Sequence, residues 1–197
     1  VRFGTKLCDL RFSDGKLVSA VTDNEEIPCK NLILATGHSA RDTFLMLKNN
    51  GINMIRKPFS MGVRIEHLQS DINKALYGDF AFHPALSAAD YKLAVHLKNG
   101  RGVYTFCMCP GGEVINASSE AGGIAVNGMS RSRRDGENSN SALLVSVEPD
   151  DLMGDDVLAG CALQRKTEEA AFNCAEGKVP VSTVGSFVFG KPFEITR

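Results

Sequence analysis

Residues Asn31–Phe44, NLILATGHSARDTF, constrain the fold more than any other stretch. Four apolar residues, Leu32–Ala35, predict a short buried strand. The strand is expected to stop at Thr36-Gly37. Ser39-Ala40-Arg41-Asp42 then has the spacing of a capping box, which predicts a helix from about Ala40. A buried strand that ends on glycine and turns into a capped helix is where open α/β folds place ligands. Glycine lets backbone approach a ligand closely, and a helix N-terminus offers unpaired N–H groups to an anion. His38 follows the glycine, where it either faces a ligand or bonds a neighbouring carbonyl.

The chain before this stretch reads as a small β meander. Val1–Phe12 and Lys16–Thr22 are two strands joined at Ser13-Asp14-Gly15, a short-range hairpin signal. Ile27-Pro28-Cys29 leads into the opening strand. After it, the helix places Ala40, Phe44 and Leu47 on one face and ends at Asn49-Asn50-Gly51. Phe59–His67 is extended. Its alternation sets Phe59, Met61, Val63 and Ile65 against Ser60, Gly62, Arg64 and Glu66. A short helix is expected over Ser70–Tyr77 and a loop or a broken helix over Gly78–Tyr91. Lys92–Lys98 and Gly102–Cys109 form another strand pair, with Tyr104, Phe106 and Met108 on one face and Thr105, Cys107 and Cys109 on the other. Pro110–Ser141 is rich in Gly, Ser and Asn, with short strands expected at Val114-Ile115 and Ile124–Val126. Ala142–Val147 is a strand, Asp155–Cys174 the longest helix, and Lys178–Phe193 extended or irregular.

Composition excludes some partners. A net charge of −1 gives no electrostatic case for nucleic acid or an anionic membrane. No apolar run is long enough to span a bilayer. Six scattered cysteines in 197 residues are too sparse for a disulfide scaffold, so they are expected to be reduced thiols of a cytoplasmic protein. The chain starts mid-strand at Val1-Arg2-Phe3, and an excised piece of a longer protein is expected.

Several constellations have a functional and a structural explanation. Cys107-Met108-Cys109 invites a metal, but no second Cys/His pair lies nearby to complete four ligands, and no metal is expected. The cysteines are either redox groups or small residues packed on a strand. Arg64 and Glu66 form either a substrate clamp, since arginine grips a carboxylate through two parallel hydrogen bonds, or an ion pair. Arg131, Arg133 and Arg134 hold an anion or make a solvated loop with Asp135 and Glu137. The serine elbow, the phosphate loop, H-E-x-x-H and G-x-G-x-x-G are all absent.

Four blocks carry a resemblance: NLILATGHSARDTF, KPFSMGVRIEHLQ, YTFCMCPGGEVINASSE and NGMSRSRRDGENSNSALLVSV. Together, in this order, they resemble the uncharacterised FAD-dependent dehydrogenases, large bacterial flavoproteins of the two-dinucleotide-binding-domain type. The resemblance implies a flavin domain built from separate sequence pieces with another domain inserted between them. Residues 1–56 would be a partial FAD-binding domain, 57–187 the inserted substrate-side domain, and 188–197 a return segment. The expected fold class is mixed α/β (α+β), with a mostly β, barrel-like inserted domain.

The resemblance also implies that Ala35, Thr36, Gly37 and His38 lie beside the cofactor. Arg64, Glu66, Cys107, Cys109, Asn127, Arg131 and Asn140 would turn toward the flavin and an unidentified small-molecule substrate or electron acceptor. No catalytic assignment follows. Because the pyrophosphate loop is missing from this sequence, the chain alone is expected to hold no FAD tightly and to be inactive. FAD is expected in the longer parent, an oxidoreductase. A non-catalytic module that binds a ligand or partner protein is the alternative.

Overall fold

The computed structural model describes residues 1–37 and 39–190. The chain divides into two compact units, Val1–Arg56 with Leu152–Ala162, and Lys57–Asp151 with the chain from Leu163 on.

The first unit opens with the meander β1 (Leu7–Ser13), β2 (Lys16–Thr22) and β3 (Glu26–Pro28), each antiparallel to the next. Asp14 and Gly15 both have positive φ, 50° and 72°, which a two-residue hairpin turn matched to strand twist requires. Leu10 and Ala20 lie opposite one another and are the buried apolar pair of this sheet. Helix α1 (Arg41–Asn49) follows. At its end the Gly51 N–H donates to the Lys48 carbonyl and the Ile52 N–H to that of Leu47, with Gly51 at φ 71°, a Schellman closure of the last turn. Asn50 ties the helix to β1 by donating to Asp9 Oδ1 at 2.8 Å. In the segment 152–162, Asp156 takes Lys48 Nζ on both carboxylate oxygens at 2.8 Å and gives its carbonyl to Arg56 Nε.

Two expectations fail here. Leu32–Ala35 is neither a strand nor buried; Ile33 is 92% exposed. A strand exists only through its ladder, and no strand among the described residues pairs with this segment. The capping box does not form either. Ala40 is the N-cap and no side chain caps the helix. Asp42 instead pairs with Lys6 at 2.6 Å and accepts the Thr43 N–H. The hydrogen bond from Lys6 holds the Asp42 carboxyl below its ordinary value.

The second unit contains β4 (Phe59–Leu68), α2 (Gln69–Tyr77), β5 (Ala94–His96), β6 (Gly102–Cys109), β7 (Gly112–Asn116), β8 (Val126–Ser130) and β9 (Asn138–Val147). Helix α3 (Ala159–Cys174) has its first turn in the first unit; α4 (Val184–Phe189) closes the described chain. Four strands form one antiparallel sheet in the order β4-β9-β6-β5. The β4–β9 ladder runs unbroken over ten pairs, from Phe59↔Val147 to Leu68↔Asn138. Gly62 permits it, because a Cβ there would overlap the Leu143 carbonyl. Among the described residues β7 and β8 form ladder pairs only with each other.

Antiparallel sheets with separate helices make this an α+β fold, the expected class. The barrel-like closure does not form among the described residues. The sheet stays open, with β4 at one edge and β5, only three residues long, at the other. The tail expected to be irregular contains α4, where Thr183 Oγ1 accepts the Ser186 N–H at 3.1 Å as an N-cap. A six-residue helix is too short to show a period in sequence.

Candidate functional site

The ladder register of the four-stranded sheet decides which polar side chains meet. Arg64 lies opposite Ala142 and Glu66 opposite Asn140. Across β9, Phe106 lies opposite Ala142 and Cys109 opposite Asn140. Directly paired residues project to the same face. Simple alternation put Cys109 on the face away from Phe106, and this is overturned. Three steps along β6, from Phe106 to Cys109, match two along β9, so β6 carries a bulge. Cys107 absorbs the extra residue at φ 46°, and Cys109 returns to the Phe106 face.

Arg64 is therefore surrounded by groups from three strands. Its Nε donates to Asn140 Oδ1 at 3.0 Å. Its Nη2 donates to the Cys107 carbonyl at 2.7 Å and approaches Cys109 Sγ at 3.8 Å. All three acceptors are uncharged. Asn140 is wholly buried, and its Nδ2 has no hydrogen-bond partner among the described residues. β8 lies over this group at Gly128. A Cβ on Gly128 would overlap Asn140 Oδ1 and Arg64 Nη2 and would come within 2.7 Å of Cys109 Sγ.

Other expected residues stand apart. Glu66 does not pair with Arg64; it accepts from Asn138 Nδ2 at 3.0 Å. The Cys107 side chain is exposed, and only its carbonyl joins the group. Asn127 is exposed and accepts the N–H of Gly128 on its own side chain. Arg131 is exposed, and its carbonyl closes a turn with the Arg134 N–H. Ala35, Thr36 and Gly37 are exposed, with Gly37 at φ 73° and open space around it. His38 lies outside the described residues.

The fit of a flavin pyrophosphate to this first unit is poor. The α1 N-terminus, the expected anion site, already spends the Thr43 N–H on Asp42 Oδ1 and the Arg41 N–H on the Ser39 carbonyl. Asp42 also places a negative charge in the first turn, where an anion would need to sit. The described residues do not form a pyrophosphate cradle. No group of three or more His, Cys, Asp or Glu among them is gathered to hold a metal.

Sequence reasoning missed a second polar group. On the opposite face of the sheet, His67 Nδ1 lies 2.9 Å from Ser139 Oγ and His67 Nε2 lies 2.7 Å from the Tyr91 hydroxyl. Ser139 and Ser141 are buried, and burial pushes the Tyr91 phenol above its ordinary value. A signal was available: His67 falls in alternation with Met61, Val63 and Ile65, a polar residue on an apolar face.

Residues 58–196 match the model of a family described as FAD-dependent protein, C-terminal domain-like. An uncharacterized protein of Clostridium beijerinckii is 48% identical over 191 residues, which cover 95% of this chain and 36% of that protein. Among the described residues no helix is long and apolar enough to cross a membrane.

Proposed function

The chain belongs to the FAD-dependent protein C-terminal domain-like family, and on that premise we propose that it supplies the substrate-side domain, and one edge of the flavin domain, of a longer FAD-dependent oxidoreductase. Residues 57–187 are assigned to the inserted domain, 1–56 to part of the FAD-binding domain, and 188–197 to the return. Flavin carries the redox chemistry in such enzymes, and the protein positions the second reactant. The share of this chain is to hold and orient a small-molecule substrate or electron acceptor.

One observation carries the reading. Within the family-matched region, Arg64, Asn140, Cys109 and the Cys107 carbonyl converge on one face of the sheet, with the guanidinium held, among the described residues, only by neutral acceptors. A planar, fixed cation whose charge is not spent inside the fold suits recognition of a polar substrate. Ala35, Thr36 and Gly37 form the edge nearest the cofactor in this reading. The pyrophosphate is held by parts of the longer protein, so the chain alone is expected to purify colourless.

The test is the flavin spectrum of the longer protein under anaerobic titration with NADH and NADPH. Bleaching is the expected outcome and names the donor. A flavin that no reductant of this kind and no substrate bleaches, in a protein without turnover, would overturn the oxidoreductase reading.

A further inference from the structure

The donors left over around Arg64 describe their ligand. Arg64 uses Nε and Nη2 on Asn140, Cys107 and Cys109, and no carboxylate among the described residues pairs with it. Asn140, wholly buried, keeps both hydrogens of Nδ2 unspent among the described residues. A buried amide without a partner is costly, so the position favours anything that supplies an acceptor. Arginine and amide N–H groups only donate, so the group that satisfies both must accept two hydrogen bonds, which the two oxygens of a carboxylate do.

We propose that Arg64 and Asn140 form a receptor for a carboxylate, and that the substrate of this domain is a small molecule bearing one. The proposal rests on the substrate-side reading of this sheet face. Charge selects the carboxylate over a phosphate. Glu66 is the ladder partner of Asn140 and projects from the same face, where Asn138 holds its carboxylate, so that face carries one guanidinium and one carboxylate. A monoanion is tolerated there and a dianion is repelled. The entry is Arg64, which is only half-buried, whereas Asn140 is covered by β8 at Gly128. β7 and β8 pair with each other alone, so the hairpin can shift as a unit without breaking a ladder bond to the four-stranded sheet. The proposal therefore includes a shift of this hairpin off Asn140, against its packing on β4, β6 and β9.

The experiment uses the ¹⁵N-labelled chain, free of flavin, titrated at constant ionic strength with sodium acetate, sodium chloride and inorganic phosphate. Acetate is expected to shift the Arg64 Nε–H and the Asn140 side-chain NH2 resonances saturably. Phosphate and chloride are expected to act at least tenfold more weakly. Arg64→Ala should abolish the acetate response; if it does not fold, Arg64→Lys, which keeps the charge and loses the planar fork, should weaken it at least tenfold. Arg101→Ala, remote from the cluster, should leave it unchanged. Equal responses to all three anions, or an Asn140 amide that exchanges with water and ignores acetate, would overturn the proposal and return the pair to a hydrated structural role. The substrate-side reading fails separately: unchanged turnover in Arg64→Ala of the flavin-loaded longer protein removes it, whatever acetate does.

Discussion

Arg64 and Arg101 serve the same sheet in opposite ways. Arg101, in the turn between β5 and β6, places its two Nη groups on the two carboxylate oxygens of Asp151, each at 2.6 Å, and also donates to the Ser146 carbonyl. Its charge is neutralised within the fold. The hydrogen bond from Arg101 holds the Asp151 carboxyl down at about 2. Arg64 has the same five donors but, among the described residues, meets only an amide oxygen, a carbonyl and a thiol. A bidentate carboxylate completes a guanidinium. Neutral acceptors fix its plane and leave its charge to be answered from outside. One arginine is a staple and the other a held cation, and sequence alone does not separate them.

The contrast can be broken by substitution. The largest effect is expected from Arg64→Ala in the flavin-loaded longer protein. Loss of a charge-assisted hydrogen bond of about 1.5–3 kcal/mol lowers turnover on the order of 10- to 100-fold, with flavin absorbance unchanged. Steady-state kinetics beside a flavin spectrum measures both, and equal turnover would make Arg64 a staple too. Next comes Gly128→Ala. The added Cβ collides with Asn140, Arg64 and Cys109, and overpacking of this kind costs about 1–3 kcal/mol. Urea denaturation should report that loss; an unchanged midpoint would mean that β8 does not press on the cluster.

Arg101→Ala is expected to act more weakly, because both partners are partly exposed and water screens the pair. It should lower the melting temperature slightly and leave the kinetics of the longer protein alone. The smallest effect concerns pH. The carboxyl of Asp151 is lowered in the fold, so its contribution is complete above the unfolded value of about 3.8 and is lost as pH falls toward 2. Asp151→Asn should therefore flatten the decline in stability between pH 4 and 2 without changing stability's slope near pH 7. A decline as steep in the variant as in the wild type would assign that window to other groups, such as Asp42 or Asp156, whose carboxyls are also held low by lysine hydrogen bonds.

Much of the local structure was legible. The Asp14-Gly15 turn, the glycine stop of α1, the long β4 and the β5–β6 pair were read from residue type and period alone, because turns, caps and alternation are properties of a few adjacent residues. Arg64, Cys109 and Asn140 were also on the expected site, although their meeting was not derivable. Sequence alternation counts every residue as one step, and the bulge at Cys107 makes three steps on β6 equal two on β9. That single shift carries Cys109 to the face of Arg64 and Asn140. Glu66, adjacent in the alternation, turns instead to Asn138, a choice made by a neighbouring strand.

The segment NLILATGHSARDTF marks the same division. Its apolar run has the composition of a buried strand, and the sequence determined that much, together with the helix that follows. Whether the run is a strand is a tertiary matter, since hydrogen bonds of a ladder come from another segment. Among the described residues none supplies them, and Ile33 faces solvent. The polar cluster is the reverse case. The resemblance names Arg64, Cys109 and Asn140, but nothing in the separate stretches that hold them predicts that they meet, and only pairing across β4, β9 and β6, with Gly128 laid over them, brings a cation held by neutral acceptors beside a buried amide.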